Sequence, residues 1–491
     1  MKSATRRSKP RPAPPAAARE SGSPFLRGWR RYALASAALL VPCVWQARLE
    51  AGDLGSHIYN AWLAELIRRG QAPGLAIVPQ TTNVLFDLLL GVLFRAAGSE
   101  AAQRIAVGLA VLVFAWGAFA FVAAAARREW TALPVIAMMA YGWVFHMGLF
   151  NFYLSLGLCF WALALGWSLA PRRLLAAVPL LLLAYLAQGV PVAWASAVLG
   201  LLWLARRRPA QRGRLIAIVV AALGALHLAM RAAMPTMWHS WQIRSVAGLD
   251  QVWVYGDKYW AVSTGLLLLW AALLAESIRR GGARRFFGGD LFLVLAVSAA
   301  GVLVLPTWVW LPAYGHALVF VSERMSLAMA VLVAAAAATI TPRRWHRWLT
   351  AALAAVFFVF LYVDERALNG LEDQMRDAVA QLPPMARVVS NVDADLRVNA
   401  VTHMIDRVCI GRCYSYANYE PSSAAFRIRV TGPTAIVAPT DMDSSRIENG
   451  GYAVKQRDLP LYRISALADG SLAVESMPAG ALIGVSRWRG L

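Results

Sequence analysis

Lysine is nearly missing from this 491-residue chain: it occurs at Lys2, Lys9, Lys258 and Lys455 and nowhere else. Acidic residues are scarce as well, 27 Asp and Glu against 48 Lys and Arg, and charged residues make up only 15% of the sequence. Soluble domains carry about a quarter charged residues, so a soluble globular fold is excluded. The long apolar runs lack the period-two alternation of an outer-membrane barrel, which excludes that class too. No stretch interleaves aromatic and basic residues as an RNA binder does. The net charge of +21 is almost all arginine; it reads as topology-setting loop charge, and no nucleic-acid partner is expected.

What is present is apolar. The chain is 59% hydrophobic with a mean hydropathy of +0.52. Runs such as 109–126 and 291–305 recur along it, broken by short arginine clusters. That is the pattern of a polytopic α-helical membrane protein. Residues 1–24 are rich in Ala, Pro, Arg and Ser, a composition that stays disordered, and 1–30 is assigned as a disordered cytoplasmic N-terminus. The run 32–46 follows Arg30 and Arg31, and no small-residue cleavage site ends it cleanly; it reads as an uncleaved first membrane helix. Arginine clusters lie at 127–128, 172–173, 206–214, 279–285 and 343–347. They all fall on the cytoplasmic side if about eleven spans run at 31–49, 103–126, 131–147, 150–170, 174–188, 190–205, 214–233, 260–278, 290–306, 324–341 and 347–364. The stretches 56–69 and 83–98 then lie as two interfacial helices in the first outer loop. A bacterial inner membrane, a cytoplasmic N-terminus and a periplasmic C-terminal region follow from this arrangement.

This topology gathers polar residues on the outer face: Asp53, His57, Tyr59, Asn60 and Asp87 from the first loop, then His146, Asn151, Gln188, Arg244, Lys258, Tyr314, His316, Glu323 and Arg324. The inner face shows little but arginine. Ionisable groups near membrane depth are costly and tend to face a cavity, so the outer face is where a functional site is expected.

An Asp closing the first span (Asp53), an amphipathic helix after it, a second such helix at 83–90, Gly98, and a long second span opening on Ala102-Gln103-Arg104-Ile105 form an arrangement that resembles the GT-C superfamily of membrane glycosyltransferases. Ser322-Glu323-Arg324-Met325, opening a late helix, is similar to an Arg-aromatic helix start found in bacterial members. Leu54 stands where the family carries a second acid, and Met325 where it carries an aromatic. The resemblance spans roughly residues 31–364. It implies transfer of a sugar from a polyprenyl-phosphate donor to an extracytoplasmic glycan, lipid or protein acceptor. Asp53, aided by His57, would act as base on the acceptor. Arg324, Lys258 and Arg244 would hold the donor phosphate. Tyr59, Asn60, Asp87, His146, Asn151 and His316 would line the cavity. No cofactor is required by this reading, and a divalent cation is compatible with it although no residue pattern indicates one.

Blander roles stand beside these. Asp53 is a good N-cap, and His57 a capping histidine. The tryptophans of 238–260 make an interfacial belt as readily as a sugar platform. Lys258 and Arg244 suit lipid headgroups. A lipid-linked-sugar flippase or a non-catalytic membrane assembly protein are the alternative classes.

Beyond residue 365 the apolar runs stop and charge rises. Residues 365–491 are expected to form a small extracytoplasmic α/β domain, with a helix over 368–380 and strands at 387–390, 426–430 and 435–437. Tyr414, Tyr416, Asn418, Tyr419 and Glu420 form a polar aromatic cluster, read either as an acceptor contact or as a packing patch. Cys43 and Cys159 lie in apolar spans. Cys409 and Cys413, in a compartment expected to be oxidising, are predicted to form a disulfide rather than a zinc site, for which His403 is the sole nearby histidine.

Overall fold

The computed structural model describes residues 24–126, 129–312, 316–423 and 425–490. The expected disordered stretch up to residue 23, Arg127, Arg128 and Tyr314 lie outside the described residues. The chain divides into two compact units, 1–39 and 40–491. The first holds nearly all of helix α1 (Pro24–Leu40). The expected span to residue 49 ends early, because Pro42 sits in the 3-10 turn Val41–Cys43, where it can donate no backbone hydrogen bond.

The second unit is mostly helical. Helix α2 (Leu54–Arg68) precedes α3 (Leu85–Ala126), which bends at Gly98, where φ is 78° and ψ 177°. That conformation is essentially restricted to glycine, so the break between the short helix and the long span is written at one residue. The expected single span over 131–147 is overturned. A 3-10 turn (Glu129–Ala132), α4 (Leu133–Ala140) and α5 (Trp143–His146) replace it. The helix stops because Gly142 turns extended, and the His146 and Met147 carbonyls accept from Gly52 and Asp53 instead of continuing a ladder.

Helices α6 (Phe150–Gly166), α7 (Pro171–Ala187), α8 (Gly189–Arg207), α9 (Arg212–Ala233), α10 (Trp260–Gly281), α11 (Ala283–Phe287), α12 (Asp290–Val304), α13 (Val321–Ala337) and α14 (Arg344–Ala380) follow. Among the described residues, five helical stretches are long and apolar enough to cross a membrane: Leu85–Ala126, Gly189–Arg207, Pro209–Ala233, Asp257–Gly281 and Arg344–Ala380. Phe150–Gly166 and Asp290–Val304 are apolar but shorter. These are the helices of a multi-pass membrane protein. Strands Trp308–Leu311 and His316–Leu318 form an antiparallel hairpin, with Thr236–Met237 alongside.

The expected helix over 368–380 is not separate. It is the end of α14, which runs unbroken from apolar to polar sequence. Helices α15 (Met404–Cys409) and α16 (Asp441–Glu448) lie beyond it. A four-stranded sheet is ordered Leu472–Met477, Leu461–Ala466, Ala386–Ser390, Cys413–Ser415. Val389, Tyr416, Ile447, Leu461 and Ile483 belong to its buried core. Residues 435–437 form no strand; the Thr434 hydroxyl accepts from Ile436 N at 3.2 Å, a local bond of the kind that competes with a ladder. Strand Ile428–Val430 pairs instead with Leu75–Ile77, from the loop after α2. Sequence from both ends of the chain is thus built into one structure.

Candidate functional site

Asp53 occupies the N-cap position of α2, yet its side chain makes no capping hydrogen bond. Backbone contacts hold it: Asp53 N donates to Met147 O at 3.1 Å and Gly52 N to His146 O at 2.8 Å. The approach requires Gly148, whose φ is +79° and whose Cβ, if it had one, would collide with Asp53 N. Gly148→Ala combines a positive φ with a backbone clash, and should destabilise the protein by about 1–3 kcal/mol. A thermal-unfolding midpoint lowered relative to wild type checks this; an unchanged midpoint contradicts it.

One turn on, His57 Nδ1 lies 2.7 Å from Asp87 Oδ1, and Asn151 Nδ2 donates to Asp87 Oδ2 at 2.9 Å. Asn151 Oδ1 accepts from Phe86 N, fixing the amide's orientation. Burial alone would lower the His57 pKa, but Asp87, with Glu420 and Asp53 farther out, lifts it to about 9. The Asp87 pairing favours the charged form of the imidazole, which does not suit a base.

Asp53, His57, Asn151 and Arg324 line one cavity of about 920 Å³. Each helix lining it contributes one end. The start of α6 gives Phe150 and Phe152, the end of α7 Tyr185, the start of α8 Val190 and Ala193, and the start of α13 Arg324. The arginine clusters sit at the opposite ends of these helices: Arg172 and Arg173 open α7, and Arg206 and Arg207 close α8. Its lining includes the apolar side chains of Phe150, Phe152, Val190, Leu311, Leu318 and Phe320. It also includes the amides and hydroxyl of Asn83, Gln188, Asn391, Asn399, Thr402 and Asn449. The Arg324 guanidinium makes no hydrogen bond or ion pair among the described residues, and its Nε is buried without a partner.

Lys258 and Arg244 are not in this cavity. They line a second one of about 720 Å³, with Trp143, Trp241, Trp253, Asp250 and Arg397. Phe320 lines both. Lys258 is paired with Asp364, and Arg244 lies 5.9 Å from the Trp260 ring. The expected three-cation phosphate site is therefore split, because depth in the membrane does not distinguish neighbouring cavities.

Tyr59, Asn60 and His146 do not line the cavity either. The Tyr59 hydroxyl accepts from Ser415 N at 3.0 Å, and Asn60 Oδ1 accepts from Asn418 Nδ2 at 3.0 Å. Both side chains face the C-terminal region because α2 is buried along most of its length. His146 is fully buried, with Nδ1 2.8 Å from the Tyr255 hydroxyl. Asp87 stands behind His57 and Asn151. His316 lies in the hairpin, its backbone opposite Leu311. Cys409 and Cys413 are joined as a disulfide, with Cα atoms 4.5 Å apart.

The C-terminal region adds Asn391, Asn399, Thr402, His403, Tyr419 and Glu448 to the cavity, most of which sequence reasoning missed. Of these only His403 and Tyr419 carried a signal, one as a lone histidine and the other within the aromatic cluster. Among the described residues no group of three or more His, Cys, Asp or Glu is arranged to hold a metal. No family model, curated protein or solved structure matches the chain.

Proposed function

We propose that this protein is a membrane glycosyltransferase of GT-C type that moves a sugar from a polyprenyl-phosphate donor to an acceptor hydroxyl or amine. The observation that carries the reading is one cavity holding three features: a carboxylate free of capping duty (Asp53), a guanidinium without a partner among the described residues (Arg324), and a lining that mixes apolar side chains with amides and hydroxyls. The apolar side chains suit a lipid tail, and the amides and hydroxyls suit a sugar. The acceptor hydroxyl attacks the anomeric carbon while the bond from that carbon to the phosphate oxygen breaks. The acceptor proton passes to Asp53, and the electron pair leaves with the lipid phosphate, whose charge Arg324 meets and protonated His57 supports. The cavity ends of the helices face away from the arginine clusters, which supports a periplasmic cavity, a cytoplasmic N-terminus and a bacterial inner membrane. A multi-pass topology that leaves the arginine clusters on the cytoplasmic side is part of this proposal.

Arg324 offers the direct test. A guanidinium holds phosphate through two parallel bonds, which an ammonium does not reproduce. Arg324→Lys should weaken binding of a polyprenyl phosphate about tenfold and Arg324→Leu more, since hydrogen bonds to charged groups contribute roughly 1.5–3 kcal/mol. Titration of the lipid into nanodisc-embedded protein reads this. Equal affinity in all three proteins removes Arg324 from the phosphate site.

A further inference from the structure

Asp53 does not face the cavity alone. His403, at the N-cap of α15, stands between two carboxylates. Its Nδ1 is 3.1 Å from Asp406 Oδ2 and its Nε2 is 3.7 Å from Asp53 Oδ1. The other oxygen of Asp406 accepts from the Ser415 hydroxyl, so the outer carboxylate is anchored to the sheet strand Cys413–Ser415. The imidazole packs on the Tyr419 ring, centroids 5.3 Å apart. A Cβ on Gly55 would collide with the His403 carbonyl oxygen, so α15 begins in direct backbone contact with the first turn of α2. The imidazole is 6% exposed and Asp406 2%, against 21% for Asp53, so the bridge runs from the buried sheet outward to the cavity.

We propose that His403 is a positioning residue, an imidazolium that bridges Asp406 to Asp53 and holds the Asp53 carboxylate turned into the cavity. The significance of that carboxylate rests on the transferase reading; the bridge itself does not. The groups that face His403 are Asp406 on its own helix, Asp53 at the start of α2, Glu448 at the end of α16, and Tyr419 from the loop after Cys413–Ser415. Arg324 and His57 line the same cavity. Burial by itself would lower the pKa of His403; the Asp406 hydrogen bond and charge, with Glu448 and Asp53 beyond, raise it to about 10. At neutral pH the ring is already protonated. It therefore accepts no proton passed on by Asp53, and acts as a fixed cation that orients the base.

The test needs neither donor nor acceptor. Full-length protein in nanodiscs is treated at neutral pH with a water-soluble carbodiimide and glycine ethyl ester, and labelling of Asp53 is followed by peptide mass spectrometry. A carboxylate paired with a cation is favoured in its charged form and resists this reagent. Asp53 in His403→Gln should be labelled at least about fivefold faster than in wild type, and His403→Lys, which keeps the cation, should restore protection. Equal labelling in wild type and His403→Gln overturns the bridge, as does labelling of His403→Lys as fast as that of His403→Gln. A second measurement uses wild-type His403. In nitrogen-15 histidine spectra its titration midpoint should fall in Asp53→Asn, and an unmoved midpoint overturns the proposal. Loss of the bridge would leave the transferase reading intact if Asp53→Asn still lost turnover; retention of the bridge with undiminished turnover in Asp53→Asn would fail that reading alone.

Discussion

Asp53→Asn should fold, bind polyprenyl phosphate as tightly as wild type, and lose about 10²–10⁴-fold in turnover, the usual contribution of a general base, or roughly 3–5 kcal/mol of barrier. Three observations make the substitution clean. Asparagine matches aspartate in size. No capping hydrogen bond is lost, because the Asp53 side chain makes none. The backbone bonds that set the residue, from Asp53 N to Met147 O and from His57 N to Asp53 O, do not involve the side chain. Turnover is read as polyprenyl phosphate released from a panel of polyprenyl-phosphate sugars. Undiminished turnover would leave Asp53 as a helix-start residue and nothing more.

The largest effect on stability is expected at Arg407. This buried guanidinium joins three parts of the chain. It bonds Glu50 at 2.8 Å, Glu372 on α14, and the Leu49 carbonyl at 2.5 Å. Asn369 donates to Glu50 at 3.0 Å, and Arg48 lies 3.3 Å from Glu372. Burial raises the Glu50 pKa to about 7 even against the charge of Arg407, so that carboxylate has little to spare. Removing one partner from a buried ion network strands the others, at about 3–5 kcal/mol. Arg407→Met should lower the unfolding midpoint steeply. It should also loosen the wall carrying Asn399, Thr402 and His403, because α15 begins at that wall. Replacing the whole group, Arg407→Met with Glu50→Leu and Glu372→Leu, should recover most of the loss, since an apolar replacement of a complete buried network is often neutral. A midpoint unchanged in Arg407→Met would contradict this account of how the C-terminal region is held.

The parts of this structure that were readable in the sequence are those governed by local rules. Apolar runs and arginine clusters place the helices, and Gly98 marks the break in α3 because no other residue adopts that backbone comfortably. The same topology sets Asp53 and Arg324 at matching ends of their helices, and both line one cavity. What escaped depends on contacts distant in sequence. The end of α5 is marked by the Gly52–Asp53 backbone docking on His146 and Met147, which no local pattern announces. Lys258 and Arg244 are expected on the same face as Arg324 but line the other cavity, which shares Phe320 with this one. Tyr59 and Asn60 are polar residues on an apparently amphipathic helix, yet that helix is covered by the C-terminal region, so they face Ser415 and Asn418. His403 is about 350 residues from Asp53, and contacts distant in sequence bring the two together: the Arg407 network, the close approach of Gly55 to the His403 carbonyl, and the bonds of Tyr59 and Asn60 to Ser415 and Asn418.

The central claim is that the cavity between Asp53 and Arg324 holds a lipid-linked phosphate. Cryo-electron microscopy of the protein in nanodiscs with a polyprenyl phosphate tests it most directly. The account predicts phosphate density beside the Arg324 guanidinium, with the prenyl chain running along Phe150, Phe152, Val190 and Leu318. Phosphate density in the other cavity, beside Arg244 and Lys258, with the Asp53 cavity empty, would contradict it.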